Sequence, residues 1–318
     1  MKKKDTMLSI GTINWLFVCG LAFCLGGVVV LSFMPLGSDC ICPLSRGQKK
    51  TSSALYNVHS ELDGTELKAE HKLAVLVPFR DRFEELLQFV PHMTKFLKRQ
   101  GIVHKIFLLN QVDRYRFNRA SLINVGFRFT SEVYDYIAMH DVDLLPINDA
   151  LFYKYPSAAG PHHIAAPELH PKYHYETFVG GILLVRCEHF KQVNGMSNKY
   201  WGWGLEDDEF YVRIRDAGLR VTRPENINTG VNDTFSHIHN RYHRKRDTQK
   251  CFNQKEVTRK RDRQTGLNTL NYKILKVHDM SIDGISITVL NILLECDIKE
   301  TPWCDCSGNA AAASAVST

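Results

Sequence analysis

The chain has 318 residues, of which 44% are hydrophobic and 23% charged, with a formal net charge of +6. That length holds one large domain or two ordinary ones, and the composition excludes a disordered or collagen-like chain. Arg241 to Arg263 alone carries ten Lys/Arg against three Asp/Glu, so the rest is nearly neutral and no general nucleic-acid-binding surface is implied.

In chain order, three lysines (Lys2, Lys3, Lys4) precede a stretch from Thr6 to Gly37 with no charge. Its apolar heart, Trp15 to Met34, has 20 residues, enough to cross a hydrocarbon core of about 30 Å as a helix. A cleaved signal peptide has a shorter apolar region and a small-residue cleavage site. The sequence therefore predicts an uncleaved anchor at 15–34, with a cytosolic tail at 1–14 because the lysines lie on that side. Residues 35–70 are polar and aperiodic, a flexible stem that leads to a lumenal domain. In an oxidising lumen the nine cysteines favour one or two disulfides among Cys187, Cys251, Cys296, Cys304 and Cys306, with the pairing left open.

The predicted domain spans 71–306. Its first segment, "KLAVLVPF", is a continuous apolar run of the kind covered on both faces. "RFEELLQFVPHMTKFLKRQG" has helical spacing and a glycine stop. A second strand ("HKIFLLNQV"), a second helix ("FNRASLINVGFRF") and a third strand ("YDYIAMHDVDLLP") follow, and "HHIAAPEL" and "FVGGILLVR" supply further strands. The β-α-β-α-β order predicts an α/β fold with a largely parallel sheet. The turn at 78–82, Asn110–Gln111 and Asp141–Asp143 would then share the rim where such sheets bind ligands. The tail at 307–318 is low-complexity and expected to be disordered.

Three constellations carry chemistry. Asp141 and Asp143 stand two apart at a strand end, so alternation would aim both at one divalent cation with phosphate oxygens. His237 and His239 repeat that spacing, and imidazole with carboxylate suits a borderline metal such as manganese. The stretch "WGWGLEDDEF" sets two indoles and two glycines before Glu206, Asp207, Asp208 and Glu209. Helical spacing after it puts the acids in a first turn, where the macrodipole favours negative charge. An exposed Trp is also a platform for a sugar, and a neighbouring carboxylate can take a proton from its hydroxyl.

"VPFRDR", "FNRA", "DVD", "FVGG" and "WGWGLEDDEF", in this order between about Leu73 and Cys304, resemble the animal β-1,4-galactosyltransferases. The two-residue spacing in "HIH", with "AMHDVDLLP" and "ELHPKYHYETFVGGI", is similar to the branch that acts on xylosylated protein. The resemblance implies a GT-A fold, a single-pass type II Golgi membrane protein, Mn²⁺, and inverting transfer of galactose from UDP-galactose to xylose on a proteoglycan core serine. By motif, Asp143, His237 and His239 match metal ligands and Asp207 the catalytic base. Pro78, Phe79, Arg80, Arg82, Phe117, Arg119 and Val142 match donor contacts, while Gly181, Trp203, Glu206 and Asp208 match residues around the sugars. Tyr173, Tyr175, Trp203 and Leu205, beside the acids, match the acceptor pocket. Phe178 falls where the family places a bulky residue facing the donor sugar.

A GlcNAc- or glucose-directed transferase is the alternative inside that family. Outside it, a metal-dependent phosphoesterase would use Asp143, His237 and His239 to hydrolyse the diphosphate. A membrane-anchored sugar or polyanion receptor would use Trp203 and the basic run without turnover.

Overall fold

The first strand, β1 (Lys72–Phe79), shows why its run is unbroken. Leu73, Val75, Val77 and Phe79 enter one apolar core, and Ala74 and Leu76 enter another on the opposite face. A computed structural model describes residues 70–239 and 245–307. Apart from Glu70 and Ser307, the predicted tail, anchor, stem and C-terminal tail lie outside the described residues. Among those described, no helix is long and apolar enough to cross a membrane.

Helix α1 (Phe83–Arg99) covers one face of β1 with Leu86, Phe89, Met93 and Phe96. Strand β2 (Val103–Gln111) pairs parallel to β1, and α2 (Arg119–Thr130) covers the other face with Leu122, Ile123, Val125 and Phe127. Asn118 caps α2, its side chain accepting from Ser121 N at 2.9 Å, as a short polar residue does before a helix. Strand β3 (Tyr136–His140) lies parallel on the far side of β1. A short β4 (Leu144–Pro146) follows, and then β5 (His162–His163) and β6 (Ile182–Arg186), which run antiparallel at that end of the sheet.

Two short helices then turn the path: α3 (Cys187–Gln192) and α4 (Glu206–Asp216). Strand β7 (Phe235–His237) pairs antiparallel with β4, α5 (Gln254–Val257) is a single turn, and β8 (Tyr272–Ile282) and β9 (Ile285–Leu294) form a hairpin. The main sheet runs β5-β6-β3-β1-β2-β9-β8. It is mixed, not largely parallel. Strands β3, β1, β2 and β9 are parallel in the middle, and both flanks are antiparallel.

The difference from expectation has two sources. "FVGGILLVR" is apolar enough for a central strand, but it pairs antiparallel with β3 because the connection does not cross over through a helix. The β8–β9 hairpin has a direct signal, Asp283-Gly284, both at positive φ (50° and 76°), which suits a tight two-residue turn. β8 is a sheet edge with an irregularity between Ile274 and Lys276, where Leu275 is 59% exposed. Cys251 pairs with Cys306 and Cys296 with Cys304, while Cys187 is a buried free thiol.

Candidate active site

The carboxyl ends of the parallel strands deliver the site, as an open α/β sheet requires. β3 stops at His140, so Asp141, Val142 and Asp143 occupy a turn and not the strand on which alternation was reckoned. The two carboxylates part company there. Asp141 Oδ1 accepts from Arg119 Nε at 2.8 Å, whereas Asp143 Oδ2 faces His239 Nδ1 at 3.2 Å and His237 Nε2 at 3.8 Å. His140 supports the turn from below. Its Nδ1 lies 2.9 Å from the Asp141 carbonyl, which can only accept, so Nδ1 carries the hydrogen and Nε2 accepts from the Tyr153 hydroxyl at 3.0 Å.

The histidines, almost a hundred residues later in the chain, arrive by strand pairing. Leu144 stands opposite His237 in the β4–β7 ribbon, and Ile238 N donates to Asp143 O at 2.9 Å. Burial, then Lys172, depresses His237 to about 4, and burial with Arg82 lowers His239, so both rings are neutral and have lone pairs to offer. Burial and Asp141 raise Asp143 to about 6, against the pull of Arg82 and Lys172. Two neutral imidazoles and one carboxylate fit a borderline divalent ion, and three protein donors leave positions for phosphate oxygens. Lys172 Nζ at 3.4 Å from His237 Nε2 and Arg82 Nη1 at 3.3 Å from His239 Nδ1 add positive charge beside them.

Across the cavity lies the tryptophan-glycine stretch. Gly202, Gly204 and Leu205 have φ of 81°, 98° and 75°, a left-handed path that glycine takes freely and leucine does not. This path holds Trp203 43% exposed and starts α4 at Glu206. The acids thus sit on free N–H groups, as the sequence implied. They are not equivalent. Asp207 Oδ1 accepts from Arg119 Nη1 at 2.9 Å, and its Oδ2 packs against Gly180, where a Cβ would come within 2.6 Å. Asp208 lies beside Tyr175, and burial together with that carboxylate pushes the tyrosine hydroxyl well above its ordinary value. Glu206 Oε2 is buried without a partner, and burial with Asp207 nearby raises Glu206 to about 8 against Arg119. Burial raises Asp207 too, and Arg119 opposes this. Burial disfavours the Arg119 charge as well, but Asp141, Asp207 and Glu206 outweigh it and hold the guanidinium well above its ordinary value.

One cavity of about 880 Å³ gathers nearly every residue the sequence singled out: Pro78, Arg80, Arg82, Phe117, Arg119, Val142, Asp143, Tyr173, Tyr175, Phe178, Gly181, Trp203, Leu205, Glu206, Asp207, Asp208, His237 and His239. Phe79 does not line it, being 8% exposed in the core beneath α1, nor do Asn110, Gln111 and Glu209, the last buried against Arg213. Arg80 lines the cavity, but its guanidinium donates to the carbonyls of Gln111, Asp113 and Tyr115 and so braces the rim. Phe178 packs 5.1 Å from Tyr173 and 5.4 Å from Tyr175, centroid to centroid. Sequence reasoning passed over Lys172, which stands beside His237, and His170, Arg246 and Lys250, which also line the space. Only the charge run hinted at the last two.

Arg116 was passed over too. It donates to Asp247 Oδ2 at 2.6 Å and Oδ1 at 2.9 Å, to Gln254, and to the carbonyls of Gln249 and Trp303. It also fills the space a Gly202 side chain would need.

The N-terminal region of glycosyl transferase group 7 matches residues 44–156, and the N-terminal domain of galactosyltransferase matches 160–241. A Drosophila melanogaster protein named beta-1,4-galactosyltransferase 7 is 72% identical over 98% of this chain and 100% of its own length. The chain belongs to the β-1,4-galactosyltransferase family. The human protein of the same name is 58% identical over 74% of this chain and 71% of its own. A Caenorhabditis elegans xylosylprotein 4-beta-galactosyltransferase is 50% identical over 74% and 82%.

Two solved structures of Drosophila β-1,4-galactosyltransferase 7, one of them of its catalytic domain, each cover 74% of this chain and all of their own, at TM-score 0.74. One, 80% identical, is a complex with xylobiose; the other, a 79% identical aspartate-to-asparagine mutant, is a complex with manganese, UDP-Gal and xylobiose. The GT-A-like α/β fold implied by the sequence motifs is thus the fold of this galactosyltransferase, with the sheet mixed.

Proposed function

We propose that this galactosyltransferase moves galactose from UDP-galactose to the 4-hydroxyl of xylose on a proteoglycan core serine, with inversion and with Mn²⁺. The observation that carries the reading is the division of the cavity. Asp143, His237 and His239 converge at one side, and Asp207, held by Arg119, faces an exposed aromatic platform at the other. The ligands named in the two Drosophila complexes are a manganese ion, the sugar donor and a xylose disaccharide, which agrees with this division.

Asp143, His237 and His239 would hold the metal, which when bound supplies a Lewis acid that neutralises charge growing on the departing diphosphate. The remaining chemistry belongs to the chain. Trp203 and Tyr175 give the acceptor sugar flat apolar contact, and Leu205 limits its size. Asp207 Oδ1 is committed to Arg119, so Oδ2 is the oxygen that takes the proton from the xylose 4-hydroxyl. That hydroxyl oxygen attacks the anomeric carbon from the face opposite UDP, one bond forming as the other breaks, which inverts the configuration. A single displacement needs one base. Glu206 Oε2, buried and unpartnered, is placed to bond a sugar hydroxyl.

The same reading places the domain in the Golgi lumen behind a type II anchor at 15–34, and two disulfides support an oxidising compartment. The test is galactose transfer from UDP-galactose to a β-xyloside with and without Mn²⁺, with a GlcNAc acceptor alongside. Manganese-dependent transfer to xyloside alone is expected. Equal use of GlcNAc would move the protein to another branch of the family, and rapid hydrolysis of UDP-galactose without any acceptor would make it a phosphoesterase.

A further inference from the structure

The basic run is not absorbed by the reaction. Its described part, 245–263, holds eight Lys/Arg and three Asp/Glu. It lies along residues 197–203 at point after point. Trp203 N donates to Asp247 O at 2.8 Å, Gln254 Nε2 to Trp201 O at 2.8 Å, the Tyr200 hydroxyl to Thr258 O at 3.1 Å, and Ser197 Oγ to Asp262 Oδ2 at 2.6 Å. Two of the three acids are already engaged, the exposed Asp247 by Arg116 and the buried Asp262 by Ser197, Thr265 and the nearby Arg213. The outward side exposes Lys255, Arg259, Lys260, Arg261 and Arg263 against Glu256, with Arg261 also paired to Asp216. It starts inside the cavity mouth, where Arg246 stands 4.9 Å above the Trp203 ring, and it ends at a second cavity of about 290 Å³ walled by Lys199, Lys260, Arg261 and Arg263.

We propose that this ribbon docks an acidic polypeptide, the part of the acceptor protein that flanks the xylosylated residue. The inference rests on the acceptor being a glycosylated protein. Xylose bound at Trp203 must send its aglycone out through the mouth that Lys245, Arg246 and Lys250 border, and the ribbon continues from there with basic residues outnumbering the exposed Glu256 on its outer face. Each exposed pair is weak and screened by salt, so the ribbon would act by summing several such contacts.

The experiment compares xylosylated peptides with acidic, neutral and basic flanks, using wild type and the triple variant Lys255→Ala/Lys260→Ala/Arg263→Ala, none of which lines the catalytic cavity. At about 20 mM salt the acidic peptide should show a roughly three- to tenfold lower KM than the neutral one, with kcat unchanged, and about 300 mM salt should erase the gap. The triple variant should lose the discrimination while retaining turnover of a small β-xyloside, which reports separately on the acceptor assignment. Fluorescence anisotropy of the labelled, unxylosylated acidic peptide tests docking even if no xyloside is used. Equal KM and equal binding for acidic and neutral peptides would overturn the proposal. So would binding of anionic phospholipid vesicles through these lysines with no preference among peptides, which would make the ribbon a membrane-facing surface.

Discussion

Asp207 has two oxygens with different duties, and this sharpens what its replacement should do. Asp207→Asn keeps an acceptor for Arg119 and removes the group that takes the proton. Turnover should fall roughly 10²–10⁴-fold, the usual worth of a general base, with UDP affinity little changed. Single-turnover rates and UDP titration check this, and near-normal turnover would move the proton to Glu206 or Asp208. Leu205 presents a different case, since its φ of 75° costs a leucine about 1–2 kcal/mol that glycine avoids. Leu205→Gly returns about 0.5–1 kcal/mol of that as chain entropy, so the fold should hold or gain slightly. Xyloside use should weaken as the pocket wall disappears. Urea unfolding beside kcat/KM for xyloside and glucosaminide separates the two effects, and a marked loss of stability would show that Leu205 serves packing and not acceptor choice. At this scale the sequence was most legible. Motif spacing and the family resemblance pointed to Asp143, His237, His239 and the acidic turn, which the fold brings to one cavity. They did not reveal that Asp141 binds Arg119 or that Arg116 ties Gly202 to Asp247, since those pairs depend on how loops meet.

At the level of elements, periodicity found β1, β2, β3, α1, α2 and α4, all long or strongly patterned. It overextended "HHIAAPEL", which yields only a two-residue strand, and it passed over the β8–β9 hairpin. β8 alternates charged and apolar residues with much exposure, so its apolar signal is thin, and only Asp283-Gly284 marks the turn. Sheet direction was the larger gap, because a strand's composition does not say which way it runs. Helix α2 approaches β1 and β2 through Gly126, where a Cβ would meet Leu109 Cδ1 at 2.7 Å and Leu76 Cδ2 at 3.1 Å. Gly126→Val gains about 0.5 kcal/mol of helix propensity and loses about 1–3 kcal/mol to overpacking. Overpacking wins. A lowered urea midpoint with unchanged slope is the expected result, and an unchanged midpoint would mean that the helix can lift off the sheet at no cost.

For the molecule as a whole, buried histidines tie stability to acidity. His140 and His163 are fully buried, and burial depresses them to about 4 and about 3. Both are near 6.5 when unfolded, so the unfolded chain binds protons between those values that the folded one refuses. Their contribution is complete above about pH 6.5 and is lost as pH falls toward 4. Each ring costs about 1.4 kcal/mol per pH unit in that window, or about 4 kcal/mol for the pair at pH 5. Ring NMR shifts of His140 and His163 followed from pH 7 to pH 5 check this apart from Glu206 and Asp143, whose raised values act in the opposite direction, and rings that take up protons in that window would overturn it.

The open side of β8 bears on how copies of this protein treat one another. An edge strand of 11 residues offers a row of free backbone donors and acceptors to any second chain. Three local features make such pairing unfavourable: the irregularity at Ile274/Lys276, which breaks the register a partner would need, and Lys273 and Lys276, which would bring like charges together. Leu275, 59% exposed between those lysines, becomes adhesive once they are gone. Lys273→Thr/Lys276→Thr should therefore leave the monomer's unfolding midpoint within about 0.5 kcal/mol, as surface changes usually do, and drive concentration-dependent self-association. Light scattering over a concentration series reads this directly, and a double variant that stays monomeric would leave the bulge alone as sufficient protection.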